Sequence, residues 1–562
     1  MKEWKDIKIP MRDGTLLSGN VYRPDDDKPY PAILMRTPYL KEKSIYDGIY
    51  SNYEEMALSG YNMIFQDVRG TGQSDGYMDA TGASEIDDGY DSIEWIAAQP
   101  WCDGNVGMQG LSYFGYTQMA AAENRPPHLK AFCPFQNSAI DPFSYTKART
   151  FDSYHLSWIL DRVTENINCW CRDEKEKERI LAEIKEHKAH WDEETFQLPV
   201  IDHPAAKMKG VSQTDAFLEL VKGIEDSSFL KKAHRPIRIE NISAPMFFLT
   251  GWFDGACEGT LDNWQHATGC PISRKKLMIG PWLHGGNLDS KIENIDFGEE
   301  NSGKGQKIQK IVKDWFDYWL KGIENGIMDE APVVLFTLGA NSWRKEQEWP
   351  LSRAVYTPYY LSAGKDKNSG KLSQNLSQKS EPQQYVYNPE NPLPSFYEDQ
   401  YGHRIFADPT AQQEREDVLV FCSEALTQDM EVTGPISCRL FASTTAPDTD
   451  FVCRVSDVDE EGKAFPLLSG IVRGKFRNAG ETELLEPGKV YEFTIQAGNI
   501  SNLFKKGHRI RMDVSSSLYP MHNRNLNTSD RIGFGTKSQQ ATQTIYHDSR
   551  YPSALILPVI PQ

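Results

Sequence analysis

The apolar, strand-like run Asn105–Gln109 passes directly into Gly110-Leu111-Ser112-Tyr113-Phe114-Gly115 and then into the helix-like stretch Tyr116–Glu123. A strand that turns sharply into a helix belongs to an open, largely parallel sheet, and a serine at the crest of that turn exposes its hydroxyl. The small Gly110 and Gly115 let strand and helix approach closely, and Tyr113, the residue after the serine, offers a backbone N–H beside it. The motif departs from Gly-x-Ser-x-Gly, because Phe114 takes the second glycine's place and the glycine follows one residue later. Taken alone, the pattern fits two things equally: a serine nucleophile, or a helix start capped by Ser112 after a glycine turn.

The same alternation runs along the first part of the chain. Apolar runs Leu16–Tyr22, Tyr30–Met35, Tyr61–Val68 and Leu129–Phe135 end in turn residues, and Ser84–Ala98 carries Ile86, Tyr90, Ile93 and Ile96 at helical spacing. Strands alternating with helices imply a mostly parallel sheet. From Asn137 to Arg238 strand signals fade, and Asp161–His190 is charge-rich with Ile167, Ile180 and Ile184 spaced helically. Strand-like runs resume at Ala244–Thr250 and Lys276–Gly280. An amphipathic helix with Ile308, Val312, Trp315, Phe316 and Trp319 follows, and Val333–Leu338 reads as the last strand. After Arg353 short strands are parted by Gly, Pro, Asn and Asp, with the long polar loop Gly364–Gln384, as in a β-sandwich or jelly roll. The expected organisation is an α/β domain in two parts, 1–136 and 239–352, a helical insertion at 137–238, and a β domain at 353–562.

Charge excludes several classes of partner. Lys plus Arg is 61 against Asp plus Glu at 79, a net −18 that repels nucleic-acid backbones and anionic lipid surfaces. No stretch approaches the ~20 apolar residues of a membrane span, and the N-terminus is charged where a secretory segment needs an apolar run. A cytoplasmic protein is expected. Nine cysteines, odd in number and irregularly spaced, suggest reduced thiols rather than a disulfide scaffold. Cys169 and Cys171 lack the second Cys/His pair that a zinc site needs, so no metal is expected. In Asp67-Val68-Arg69-Gly70-Thr71-Gly72 the third glycine of a nucleotide loop is missing, and no Gly-Lys-Ser/Thr follows, so no nucleotide cofactor is expected either.

A serine at its free pKa is a weak nucleophile and needs a base, with a third group to orient that base. Ala244–Thr250 runs into Gly251-Trp252-Phe253-Asp254, and Lys276–Gly280 runs into Pro281-Trp282-Leu283-His284. A carboxylate and an imidazole thus follow two successive strands, at the edge of a parallel sheet where sites form. Ser112, Asp254 and His284 stand in the chain order that strand–turn–helix serine enzymes require. His266 lies in a helical stretch and reads as a packing or surface histidine. His187 and His190, three apart on a charged helix, read as a solvated face.

In order along the chain stand Met11-Arg-Asp-Gly-Thr15, Arg36-Thr-Pro-Tyr39, Gln66-Asp-Val-Arg-Gly-Thr-Gly72, Gly110-Leu-Ser-Tyr-Phe-Gly115, Gly251-Trp-Phe-Asp-Gly255, Gly280-Pro-Trp-Leu-His284, Ala446-Pro-Asp-Thr-Asp-Phe451 and Gly507-His-Arg-Ile-Arg511. With these motifs the chain resembles the X-Pro dipeptidyl-peptidase-like serine hydrolases, the CocE/NonD group that includes cocaine esterase and glutaryl acylases. The resemblance implies an α/β-hydrolase domain with a helical cap insertion and a C-terminal jelly-roll β-sandwich. It implies Ser112 as nucleophile, His284 as base and Asp254 as its orienting carboxylate. It further implies Tyr39, whose hydroxyl joins the backbone N–H of Tyr113 in an oxyanion hole. The expected function is hydrolysis of a small ester, amide or short peptide without a cofactor. An X-Pro type dipeptidyl peptidase is the alternative, and a catalytically inactive binding module a third. Related α-amino-acid ester hydrolases carry acidic residues just after the catalytic aspartate, whereas Gly255, Ala256 and Cys257 follow Asp254 here. That departure favours an esterase or acylase. The face Phe151, Tyr154, His155 and Trp158 reads as either a pocket wall or a packing stripe, and the oligomeric state, monomer or homodimer, stays open.

Overall fold

The computed structural model describes residues 1–43, 50–78, 82, 84–139, 149–151, 154–226, 228–229, 237–285, 288–292, 295–398, 404–406, 408–478 and 482–561. Ten strands make the first sheet: β1 (Lys2–Pro10), β2 (Leu16–Arg23), β3 (Tyr30–Thr37), β4 (Asn62–Asp67), β5 (Cys102–Leu111), β6 (Leu129–Phe135), β7 (Met246–Phe253), β8 (Lys275–Leu283), β9 (Val333–Thr337) and β10 (Ser342–Glu346). Their spatial order is β1-β2-β4-β3-β5-β6-β7-β8-β9-β10. Pairing is parallel from β4 through β9 and antiparallel at both margins.

Period-two alternation divides the central strands between two cores. Leu34, Ile64, Met108 and Phe248 face one side, where they meet Ile86, Ile93, Ile96, Met119 and Ala120 of helices α2 (Glu85–Ala97) and α3 (Tyr113–Glu123). Their neighbours Ile33, Met63, Phe65, Phe247 and Leu249 face the other. There they meet Met56 of α1 (Tyr53–Leu58) together with Val312, Trp315 and Phe316 of the helix Ile308–Lys321. Covered on both faces, these strands read as continuous apolar runs.

The two edge strands escape such a reading. β1 alternates charged with apolar residues and buries little, and β10 is Ser-Trp-Arg-Lys-Glu, so neither presents an apolar run. Val333–Leu338 is therefore not the last strand, because β10 closes the sheet beyond it. Gly364–Gln384 is likewise not all loop: Gly370–Ser373 is a strand that pairs in parallel with Leu419–Ser423.

Between β6 and β7 lie the helices α4 (Tyr154–Trp170), α5 (Glu174–Ala189) and α6 (Asp215–Gly223), which share a core of Leu156, Ile159, Leu160, Val163, Ile180, Phe217 and Leu220. From Val355 to Val559 an eleven-stranded network builds a β-rich unit. This unit packs on the first sheet near β7. Phe253 lies 6.0 Å from Phe465, and the Glu258 carboxylate accepts from both the main-chain and side-chain N–H of Asn499 at 2.7 and 2.8 Å. No helix among the described residues is long and apolar enough to cross a membrane.

Candidate active site

Parallel strands present all their carboxyl ends at one edge, and Tyr39, Ser112, Asp254 and His284 follow the ends of β3, β5, β7 and β8 there. Ser112 has φ 58° and ψ −124°, a left-handed conformation that an L-residue holds at a cost of about 1–3 kcal/mol. Its N–H is shared between the carbonyls of Phe135 and Gln136 at 3.1 and 3.2 Å, which ties the turn to the end of β6. Gly110, at φ 135°, lies against Phe114: a Cβ there would come within 2.5 Å of the Phe114 Cβ. A Cβ on Gly115 would meet the Asn137 amide at 2.7 Å. The two required glycines thus sit one residue further apart than in Gly-x-Ser-x-Gly, and Phe114 fits between them because its ring enters the apolar core and packs 5.7 Å from Tyr39.

Asp254 and His284 meet because of strand register. β7 and β8 pair at Gly251↔Gly280 and at Phe253↔Leu283, with an irregularity between them, so the residues after Phe253 and Leu283 emerge side by side. Gly251 is required at this approach, since a Cβ would stand 2.1 Å from the Trp282 carbonyl oxygen. His284 Nδ1 lies 2.7 Å from Asp254 Oδ1. The Ala256 N–H also donates to Oδ1, and the Thr250 hydroxyl donates to Oδ2, both at 2.8 Å. The carboxylate is fully buried, with both oxygens hydrogen-bonded, while 42 % of the imidazole surface stays open. A carboxylate only accepts, so Nδ1 carries the proton and Nε2 is left as a base. Partial desolvation of this half-open ring pushes its pKa down, but the Asp254 charge and hydrogen bond together outweigh that and hold it above the ordinary imidazole value.

Tyr39 packs between Phe114 and Trp158 of α4, with the Arg162 guanidinium 4.5 Å above its ring. Burial raises its pKa, so it keeps its proton. Tyr113 is the first residue of α3, where backbone N–H groups point out of the helix end, and its ring stacks 6.0 Å from Trp158. Of the ambiguous helical face, Phe151 and His155 are buried while Trp158 reaches Tyr39 and Tyr113. The sequence does not single out Thr250 or Gln136. A polar residue just past a strand, as at Gln136, is the one local signal.

The rival histidines lie elsewhere. His266 Nδ1 is 2.8 Å from the Asp262 carbonyl of its own helix, and His187 pairs with Glu194 at 2.9 Å. The Cys169 thiol donates to the Gly72 carbonyl. Among the described residues no group of three or more His, Cys, Asp or Glu is placed to hold a metal ion.

Comparison with known proteins adds ancestry. Residues 13–286 match the X-Pro dipeptidyl-peptidase (S15 family) model, and residues 325–556 match the X-Pro dipeptidyl-peptidase C-terminal non-catalytic domain. The chain is 32 % identical over 578 residues to cocaine esterase of Rhodococcus sp. (strain MB1 Bresler), covering 99 % of this chain and 98 % of that one. Two solved structures share the fold. An aminopeptidase from a marine sediment Thaumarchaeota archaeon superposes with a TM-score of 0.83 at 24 % identity, covering 100 % of this chain and 96 % of that one. An α-amino acid ester hydrolase superposes with a TM-score of 0.82 at 23 % identity, covering 99 % and 96 %.

Proposed function

Because the chain belongs to the X-Pro dipeptidyl-peptidase (S15) family of serine hydrolases, we propose that it cleaves a small carboxylic ester or amide through an acyl-enzyme on Ser112. The observation that carries this reading is the Asp254–His284 pair at 2.7 Å, on the same sheet edge as the left-handed turn that carries Ser112. His284 Nε2 takes the Ser112 proton as Oγ attacks the carbonyl carbon, and the resulting imidazolium is stabilised by Asp254. The tetrahedral oxyanion accepts from the Tyr39 hydroxyl and the Tyr113 N–H. His284 then returns the proton to the leaving group, and water repeats the sequence to release the acid.

Local charge supports an ester or acyl substrate over a peptide with a free α-ammonium. The first carboxylate after Asp254 is Glu258, and both its oxygens are taken by Asn499. The charge set over Tyr39 is the Arg162 cation, and Glu165 beside it is ion-paired with Arg162 and Lys43. An ammonium group would meet repulsion there.

A fluorophosphonate should label one residue stoichiometrically, and peptide mass mapping should find it at Ser112. A panel of p-nitrophenyl acyl esters should turn over far faster than Gly-Pro-p-nitroanilide. Absence of the label from Ser112 would overturn the nucleophile, and preferential turnover of the anilide would replace the esterase reading with a dipeptidyl peptidase. Tyr39→Phe removes one oxyanion donor and leaves the ring packing intact. Its kcat should fall ~100- to 1,000-fold with an unchanged melting temperature, whereas an unchanged kcat would take Tyr39 out of the site.

A further inference from the structure

His284 is the first residue after β8, between an exposed leucine and a glycine. Leu283 before it is 40 % exposed, and Gly285 after it has φ 124° with open space where a Cβ would lie. Asp254 fixes one ring nitrogen, but a single hydrogen bond leaves the imidazole free to rock about it. The peptide groups on either side of His284 are held by one buried side chain from a different strand end. Gln136 Nε2 donates to the Leu283 carbonyl at 2.8 Å, and Gln136 Oε1 accepts from the Gly285 N–H at 3.1 Å. The amide's orientation is determined, because one neighbour only accepts and the other only donates. Leu283 O and Gly285 N are the pair that a neighbouring strand would normally satisfy, so the carboxamide stands in for a peptide unit just beyond the sheet.

The main chain of Gln136 reaches the other half of the site. Its carbonyl accepts from the Ser112 N–H at 3.2 Å, and its own N–H donates to the Leu249 carbonyl of β7 at 2.8 Å. Gln136 is fully buried and holds φ 44°, a left-handed conformation retained only where surrounding contacts over-determine it. The Tyr50 hydroxyl, 2.9 Å from Oε1, completes the amide's partners, and its ring stacks on Phe135 at 5.0 Å. One residue therefore touches the serine turn, the strand that carries Asp254, and both peptide groups flanking His284.

We propose that Gln136 is a positioning residue that sets the imidazole of His284 relative to Ser112. The inference rests on the Ser112–His284 reading above. Gln136→Met keeps length and volume and removes all three hydrogen bonds of the carboxamide. Gln136→Glu gives a sharper readout. A neutral carboxyl group reproduces the amide, donating to the Leu283 carbonyl and accepting from the Gly285 N–H, whereas a carboxylate cannot donate and faces the carbonyl with like partial charge. The titratable groups of this cluster are Tyr50, His284 and Asp254, and the Asp254 charge reaches Tyr50. Burial and that negative charge both favour the neutral form of a carboxyl group placed here.

The test is ester hydrolysis by wild type, Gln136→Met and Gln136→Glu from pH 5 to 9, with fluorophosphonate labelling of each and a thermal melt. We expect Gln136→Met to lose ~10- to 100-fold in kcat, with KM changing far less, since a misplaced base slows chemistry more than binding. The rate of Gln136→Glu relative to wild type should be near one at the acid end and fall as pH rises through ionisation of the new carboxyl group. Destabilisation alone would give no such pH-dependent ratio. If Gln136→Met does not fold, the Gln136→Glu ratio decides by itself. A folded Gln136→Met enzyme with wild-type kcat, or a flat Gln136→Glu ratio, would overturn the inference. Failure of the wild-type enzyme to label at Ser112 would instead remove the mechanism on which it rests.

Discussion

Ser112→Ala should lower kcat for ester hydrolysis by about 10⁶-fold, because removing the proposed nucleophile of such a unit costs about as much as removing the whole triad. A residue of ~10³-fold acceleration over water should survive, contributed by the oxyanion donors and by binding. Fluorophosphonate labelling should vanish altogether. The melting temperature should not fall, since alanine keeps the Cβ and the backbone bonds from Ser112 N–H to Phe135 and Gln136 do not involve the hydroxyl. Ser112→Gly separates chemistry from strain. At φ 58° and ψ −124° a side chain is tolerated only under constraint, and glycine relieves the ~1–3 kcal/mol stored there. Part of that gain is returned as glycine's extra freedom in the unfolded chain. We therefore expect Ser112→Gly to be as inactive as Ser112→Ala and to melt at a higher temperature. A Ser112→Gly protein that melts lower than Ser112→Ala would show that the turn carries no strain.

What can be read from the sequence follows from where each residue sits. Ser112, Asp254 and His284 are legible because each comes directly after a buried strand, so chain order and strand ends alone bring them to one edge. The central strands are legible because helices cover both faces and force continuous apolar runs. β1 and β10 are not, since an edge strand is half solvated and its charged alternation looks like surface. Helical period finds a face but not its partner: along α4 the same stripe sends His155 into the protein interior and Trp158 to the rings of Tyr39 and Tyr113. Gln136 lies furthest from any local rule. Its role depends on β6 lying next to β7 in the sheet, and on a loop that approaches from residues 283–285.

Asp254→Ala should lose about 10⁴-fold in kcat, as the imidazole loses both its orientation and its counter-charge. Asp254→Asn should lose less, and the reason is particular to this site. An asparagine amide usually turns its NH2 toward the imidazole and enforces the wrong tautomer. Here the Ala256 N–H, which can only donate, points at the oxygen shared with His284, while the group opposite the other oxygen is the Thr250 hydroxyl, which can accept as well as donate. The introduced amide will therefore place its oxygen on the His284 side and its NH2 on Thr250, so Nδ1 keeps its proton and Nε2 stays a base. What remains is the loss of a buried counter-charge, about 3–4 kcal/mol or ~10²- to 10³-fold. The pH profile gives the sign. In the wild type the Asp254 charge and hydrogen bond hold His284 above the ordinary imidazole value against partial desolvation, so kcat/KM falls with acid through a pKa above ~6.5. With the charge removed and the partial desolvation unchanged, that limb moves to lower pH, and the variant's rate relative to wild type should rise as the medium is acidified. An Asp254→Asn enzyme as slow as Asp254→Ala at every pH would mean that the amide has turned its NH2 to the imidazole despite Ala256.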